Sequence, residues 1–312
     1  MVPTRRRLLQ ISGATAVTAL AGCTTSILGS GDGAPEYALV THSIDVSPVE
    51  YALYRPGEGA LFGEPARTAL DAILPEGRHT TYGYRPLPED GYVESEGSYY
   101  QTKYAVTGRR EMARQLVRVE TVPEEELPDD AVLIDTLERP SARALKILHS
   151  HTQSDGETRA SDLLRDDAYV LRRPAERESR LASGDLDGRV VTLTEDGPWG
   201  YRVSVSRERV AETAYTALAV PVADSQAEFR EVVFGSRIDT ELAPAALGQD
   251  ARDVLERALA RGTYTETEPL SEPFDAVLDA LGLGSVDRVE NGRLLWYDGE
   301  FYRYGLYIDP DP

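Results

Sequence analysis

One cysteine, Cys23, occurs in 312 residues. No disulfide can close within the chain, and neither a paired-thiol redox motif nor a cysteine-rich metal site is available. Lysine is almost as scarce. Lys103 and Lys146 are the only two, so the 33 basic residues are nearly all arginine. The nucleophile and metalloprotease signatures G-x-S-x-G, S-x-x-K and H-E-x-x-H are missing, and no catalytic residue can be named from a motif. Of the four histidines, His149 and His151 with Asp155 come nearest to a ligand set. They fall at the end of an expected helix, where histidine suits the negative helix terminus, and nothing is spaced to supply a third and fourth ligand. We expect no metal and no cofactor. No basic stripe is present to neutralise phosphates, which argues against a nucleic-acid partner.

What the chain has in excess is acid. It carries 53 Asp and Glu and a formal charge of −20; residues 1–22 hold three arginines and no acid, so the remainder carries −23. The acids are spread along the chain rather than gathered into a block, as expected of a solvated surface rather than a cation store. An apolar content of 41% suffices for a packed core. Ser183-Gly184-Asp185-Leu186-Asp187-Gly188 has the middle of a calcium loop. With Gly188 at the turn position, however, the first ligand falls on Ser183 and the bidentate acid on Thr194, so a hairpin turn is the better reading.

The N-terminus is the most specific stretch. Thr4-Arg5-Arg6-Arg7-Leu8-Leu9-Gln10 opens onto the apolar run 8–21, too short to span a bilayer, and that run ends in Leu20-Ala21-Gly22-Cys23. The pattern resembles a twin-arginine signal peptide followed by a lipobox. Arg5 and Arg6 would be read by the translocase, cleavage would precede Cys23, and its thiol would carry the lipid. With the acidity and the lack of lysine, the chain resembles a haloarchaeal exported lipoprotein of uncharacterised function. The resemblance implies residues 1–22 as signal, 23–35 as lipidated cysteine plus flexible Gly/Ser/Thr spacer, and a protein on the outer face of the cytoplasmic membrane, anchored through lipid on Cys23.

Beyond the spacer the chain compares with itself. Asp90-Gly91, Asp187-Gly188 and Asn291-Gly292 are each followed by Glu96-Gly97, Asp196-Gly197 or Asp298-Gly299, then by an aromatic strand. Asn-Gly and Asp-Gly supply the positive φ of tight hairpin turns. Upstream, short strands are expected at 37–44, 131–134 and 232–238, each ending in Ile-Asp, and helices at 66–74, 141–149 and 251–260 by their apolar spacing. Further helical segments are expected around 160–171 and 274–281, and further strands at 115–122 and 215–222. The fold class is α+β, with three tandem units of strand, helix and antiparallel β-meander at 36–125, 126–224 and 225–312.

This register assigns faces. Tyr100, Tyr104 and Val106 should pack on Leu70, Ile73 and Leu74; Tyr201, Val203 and Val205 on the middle helix; Tyr302, Tyr304 and Leu306 on Val254, Leu255 and Leu259. The opposite face carries Tyr99, Phe301 and Tyr307, either packed or exposed as a surface for a protein or carbohydrate partner. The leading expectation is a non-catalytic envelope or interaction module. The alternatives are a surface hydrolase using a carboxylate pair and a solute-binding lipoprotein of a transporter. The charge makes the first test: self-repulsion of −23 should loosen the mature protein at low ionic strength, and screening should relieve it. The melting midpoint followed by circular dichroism should rise between about 0.1 and 2 M salt; a midpoint indifferent to salt would contradict this.

Overall fold

The computed structural model describes residues 34–154, 163–194, 199–284 and 288–310. In chain order, β1 (Glu36–Ser43) leads through α1 (Pro48–Ala52) to α2 (Gly63–Ile73), then β2 (Arg78–Tyr82), β3 (Tyr92–Ser95) and the long β4 (Ser98–Val122). The middle of the chain holds β5 (Val132–Leu133), α3 (Arg139–Gln153), β6 (Leu164–Arg165) and β7 (Ala168–Val170). Two single turns, α4 (Pro174–Arg177) and α5 (Arg180–Ser183), precede β8 (Val190–Thr192) and the long β9 (Gly200–Ala223). Last come α6 (Gln226–Ser236), β10 (Thr240–Leu242), α7 (Gln249–Arg261), β11 (Thr263–Thr267), α8 (Glu272–Ala280), β12 (Glu290–Tyr297) and β13 (Glu300–Asp309). The class is α+β with open sheets. Among the described residues no helix is long and apolar enough to cross a membrane.

The elements gather into two compact units that do not follow chain order. The first takes the described residues up to Leu53, Gly97–Tyr99, and the described residues from Val222 onward. Its five-stranded sheet runs β10-β12-β13-β1-β11. β1 lies antiparallel between β13 and β11, with Leu39 opposite Leu306 on one side and Tyr264 on the other. Side chains alternate across a strand, so Tyr302, Tyr304 and Leu306 point together onto the helices. There they meet Val254 and Leu255 of α7 and Phe274 and Leu278 of α8 in one core. Each such aliphatic side chain taken from water contributes about 1.5–3 kcal/mol. α7 stops at Gly262, whose φ of +80° is the left-handed cap that glycine adopts without strain. α8 starts where the Ser271 hydroxyl accepts the Phe274 N–H. Thr41 ties β1 to α7 by donating to the Ala258 carbonyl at 2.8 Å.

The second unit takes Tyr54–Glu96 and Tyr100–Pro221. It is built on an eight-stranded sheet with the order β5-β8-β9-β4-β7-β6, β2 joining on β9 and β3 on β4. Cross-strand contacts Thr107–Thr216, Arg114–Glu212 and Arg118–Ser206 step up β4 as they step down β9, which makes the central pair antiparallel. α2 covers one end of this sheet: Ala66, Ala69 and Ile73 pack on Leu87 and Ala217, with Leu70, Leu74 and Tyr104 at the margin. α3 covers the other, with Leu145 and Leu148 against Val117, Tyr169, Val191 and Val203.

Most expected faces hold. Tyr302, Tyr304 and Leu306 share a core with Val254, Leu255 and Leu259, and Val203 and Val205 share one with Leu145 and Leu148. Tyr201 is buried and Tyr104 packs with Leu70 and Leu74. Val106 departs from expectation at 65% exposed, and Tyr100 is only half-buried and stands outside the core under α2. The hairpin turns are as read at Glu96-Gly97 (φ +54°, +84°) and Asp298-Gly299 (φ +49°, +83°), while the turn at Gly197 lies outside the described residues.

Several elements differ. Residues 232–238, expected as a strand, are helical through Ser236. Ser225 caps α6 by accepting the Glu228 N–H, and Phe229 and Val233 at i, i+4 form its buried face. The described part of 160–171, expected as helix, is the β6–β7 hairpin turning at Asp166, φ +54°. The expected strands at 115–122 and 215–222 are the far halves of β4 and β9, each continuous with its tyrosine-rich half. β5 and β10 also pair parallel, not antiparallel, with β8 and β12.

Candidate functional site

Arg5, Arg6 and Cys23 lie outside the described residues. Of the three aromatics named as either packed or exposed, two are packed. Tyr99 is 8% exposed and stacks on Phe229 of α6 at 4.3 Å, nearly parallel. Phe301 is 4% exposed and meets the edge of Tyr51 at 5.3 Å. For these two the packed alternative holds: Phe229 of α6 lies on Tyr99, and Tyr51 of α1 lies against Phe301. Tyr307 alone stays exposed, opposite Ala38 across the β13–β1 ladder.

His149 and His151 do end α3. His149 Nδ1 lies 2.7 Å from the Tyr201 hydroxyl, and its imidazole packs edge-on to Trp199. Desolvation by burial holds its pKa below the usual histidine range. His151 Nδ1 is buried without a hydrogen-bond partner. Among the described residues no three His, Cys, Asp or Glu side chains gather as a metal-binding group, and Asp155 is not among them. At the calcium-like sequence, Asp187 Oδ1 accepts the Val205 N–H at 2.8 Å and Gly188 takes φ +74°, but the turn leads from α5 into β8 and does not join two strands as the expected hairpin turn would.

The chemistry concentrates instead in the second unit, in two connected layers. The deeper layer is a buried ion network. Glu212 of β9 is 3% exposed and sits between Arg114 of β4, 5% exposed, and Arg172 just beyond β7. Arg114 Nε and Arg172 Nε both donate to it at 3.1 Å, while their Nη atoms reach the carbonyls of Tyr82 and Leu163 at 3.0 Å. A side chain on Gly83 would begin 2.1 Å from Glu212 Oε2, so glycine is what lets the carboxylate in. One residue along from Arg172, Arg173 caps α4, where Glu176 is 1% exposed. Its Oε2 accepts the backbone N–H groups of Arg172 and Arg173 at 2.9 Å, and its Oε1 accepts the Tyr169 hydroxyl at 2.6 Å. Burial first, and then Glu176, pushes the Tyr169 phenol up to about 12, so it stays a donor at every physiological pH.

The upper layer is an open groove of about 590 Å³ along α3. Ala142, Ile147, Leu61 and Leu163 give it an apolar floor. Arg139, Arg143 and Lys146, at i, i+4 and i+7 on one helix face, give it a cationic wall, and Ser150 closes the row. The layers meet at Arg143, which donates to Tyr169 Oη at 2.6 Å and lies 3.6 Å from Glu176 Oε1. Arg143 and Arg173 also bracket the Phe62 ring, at 5.1 and 4.5 Å. The groove was missed in the sequence, although a signal was present. Residues 139–180 hold nine Lys and Arg against seven Asp and Glu, a net +2 in a chain of −20.

No family model, no curated protein and no solved structure matches the chain. The site therefore rests on its own geometry. Glu212→Ala should destabilise the protein by about 3–5 kcal/mol, because Arg114 is left buried and uncompensated. Chemical denaturation would measure it; a loss under about 1 kcal/mol would show that the network is not a structural anchor.

Proposed function

We propose that the chain is an exported lipoprotein, tethered by lipid on Cys23 to the outer face of the cytoplasmic membrane, whose folded part is a non-catalytic binding module presenting the α3 groove. One observation carries the binding reading: a groove cation, Arg143, is held from below by a buried carboxylate and phenol. Such support pre-organises a contact surface. It also bears on the alternative of a carboxylate-pair hydrolase. Among the described residues Glu176 and Glu212 are the buried acids, and arginines, backbone N–H groups and a phenol already occupy them. A general acid instead needs a carboxyl kept protonated and open to substrate. The anchoring reading is supported by the sequence of residues 4–23 and by where β1 begins. Twelve residues separate Cys23 from Glu36, a flexible reach of roughly 20 Å. The acid-rich, lysine-poor composition supports a salt-adapted surface.

The folded part also reads as three copies of one motif with exchanged strands. Its support is a recurring strand order: first hairpin strand, second hairpin strand, visiting strand, then a strand that comes after the helix, directly in two motifs and after the short β6 in the α3 motif. It appears as β3-β4-β9-β2 beside α2, as β8-β9-β4-β7 beside α3, and as β12-β13-β1-β11 beside α7. In the first two motifs the visitor is the far half of the other's long strand. In the third it is β1, and β13 runs 10 residues against 25 for β4.

Cell fractionation tests the anchoring. Cys23→Ser should move the protein from the membrane to the soluble exterior fraction, and Arg5→Lys with Arg6→Lys should leave unprocessed protein inside. A Cys23→Ser protein still held by the membrane would remove the lipid tether.

A further inference from the structure

We propose that the α3 groove receives an acidic, amphipathic peptide segment of a partner protein. The inference deepens the binding-module reading and rests on it.

The argument starts from charge. In a chain of −20, a face built from Arg139, Arg143 and one of only two lysines runs against the rest of the surface. The three cations stand at i, i+4 and i+7, a spacing that brings them to one side of α3. Their present partners leave the ends of the row accessible. Arg139 is exposed and donates to the Gly59 carbonyl at 2.8 Å, and Lys146 is 60% exposed with only a 3.7 Å contact to the exposed Asp135. Arg143 is fixed between them by Glu176 and Tyr169.

Shape narrows the occupant. From Arg139 to Ser150 the groove follows three turns of α3, roughly 16 Å at 1.5 Å per residue. It is open along that length and lined mainly by apolar atoms. A small ligand gains affinity when most of its surface is enclosed, which an open groove does not do. A nucleic acid would need a row of phosphate contacts without the apolar floor, and would meet the repulsion of the whole chain. A peptide of about three helical turns fits both features, laying an apolar stripe on Ile147, Ala142, Leu61 and Leu163 with its carboxylates against Arg139, Arg143 and Lys146. The apolar floor also explains how such a contact survives concentrated salt, where only charges in direct contact still attract.

The test uses the full chain in detergent micelles. The probe is a fluorescein-labelled peptide of about eighteen residues, with leucine at i, i+3, i+4, i+7 and glutamate on the flanks. Fluorescence anisotropy should show saturable binding, and a scrambled peptide of the same composition should bind far less. The double variant Arg139→Glu/Lys146→Glu leaves the buried network untouched. It should weaken the acidic peptide by about tenfold or more and should bind a lysine-flanked counterpart that the wild type rejects. A single Ile147→Asp change should lower binding even at about 2 M salt. No binding by the wild type, equal binding by the double variant, or displacement of the peptide by anionic phospholipid vesicles would overturn the proposal. Such a failure is distinct from failure of the anchoring, which fractionation of Cys23→Ser reads independently.

Discussion

The antiparallel pairing of β4 with β9 sets the terms for everything in the second unit. Strands usually run five or six residues; these run 25 and 24. Each therefore serves two neighbourhoods. The near half of β4 carries Tyr104 to α2 while its far half carries Val117 to α3, and β9 does the same in the opposite order with Ala217 and Val203. A slip of one residue between them would turn both sets of side chains away from their helices at once. The register is held where the strands cross, by Thr107 against Thr216 at 2.9 Å and by Arg114 against Glu212 at 3.1 Å. A buried ion pair adds little net stability over apolar packing, but in the wrong register it would leave two bare charges in the interior. That penalty makes it a device of register.

The same network explains the site. Arg172 links Glu212 to the start of α4, and there Glu176 takes two backbone N–H groups and the Tyr169 phenol. Arg143 is drawn to that buried pair from the surface helix. The groove thus inherits its geometry from the strand crossing, through four elements and few side chains. The groove is placed on a rigid support of buried ion pairs and hydrogen bonds.

Much of this was legible in the sequence, and what was not has identifiable causes. The helices α2, α3 and α7 follow from leucine and alanine spacing, and the turns at Gly97 and Gly299 from their glycines. The β6–β7 hairpin was misread because Asp166 takes positive φ without a glycine to mark it. α6 was misread because Val232-Val233-Phe234 is strand-like by composition, while the deciding features, the Ser225 cap and Phe229, lie further back. The groove stayed hidden for a different reason: a global charge of −20 conceals a local reversal whose charges converge only when α3, the 57–62 loop and Leu163 come together.

If the strand crossing governs the second unit, its sheet should open as one body and not as two halves. Native-state hydrogen exchange followed by NMR measures this directly. Amides of 102–117 in β4 and 203–217 in β9 should be the slowest in the unit and should share one opening free energy, with the regions under α2 and under α3 merging at the same denaturant concentration. Separate opening energies for the two ends of either strand would contradict the account, and would mean that the helices, and not the crossing, hold the fold together.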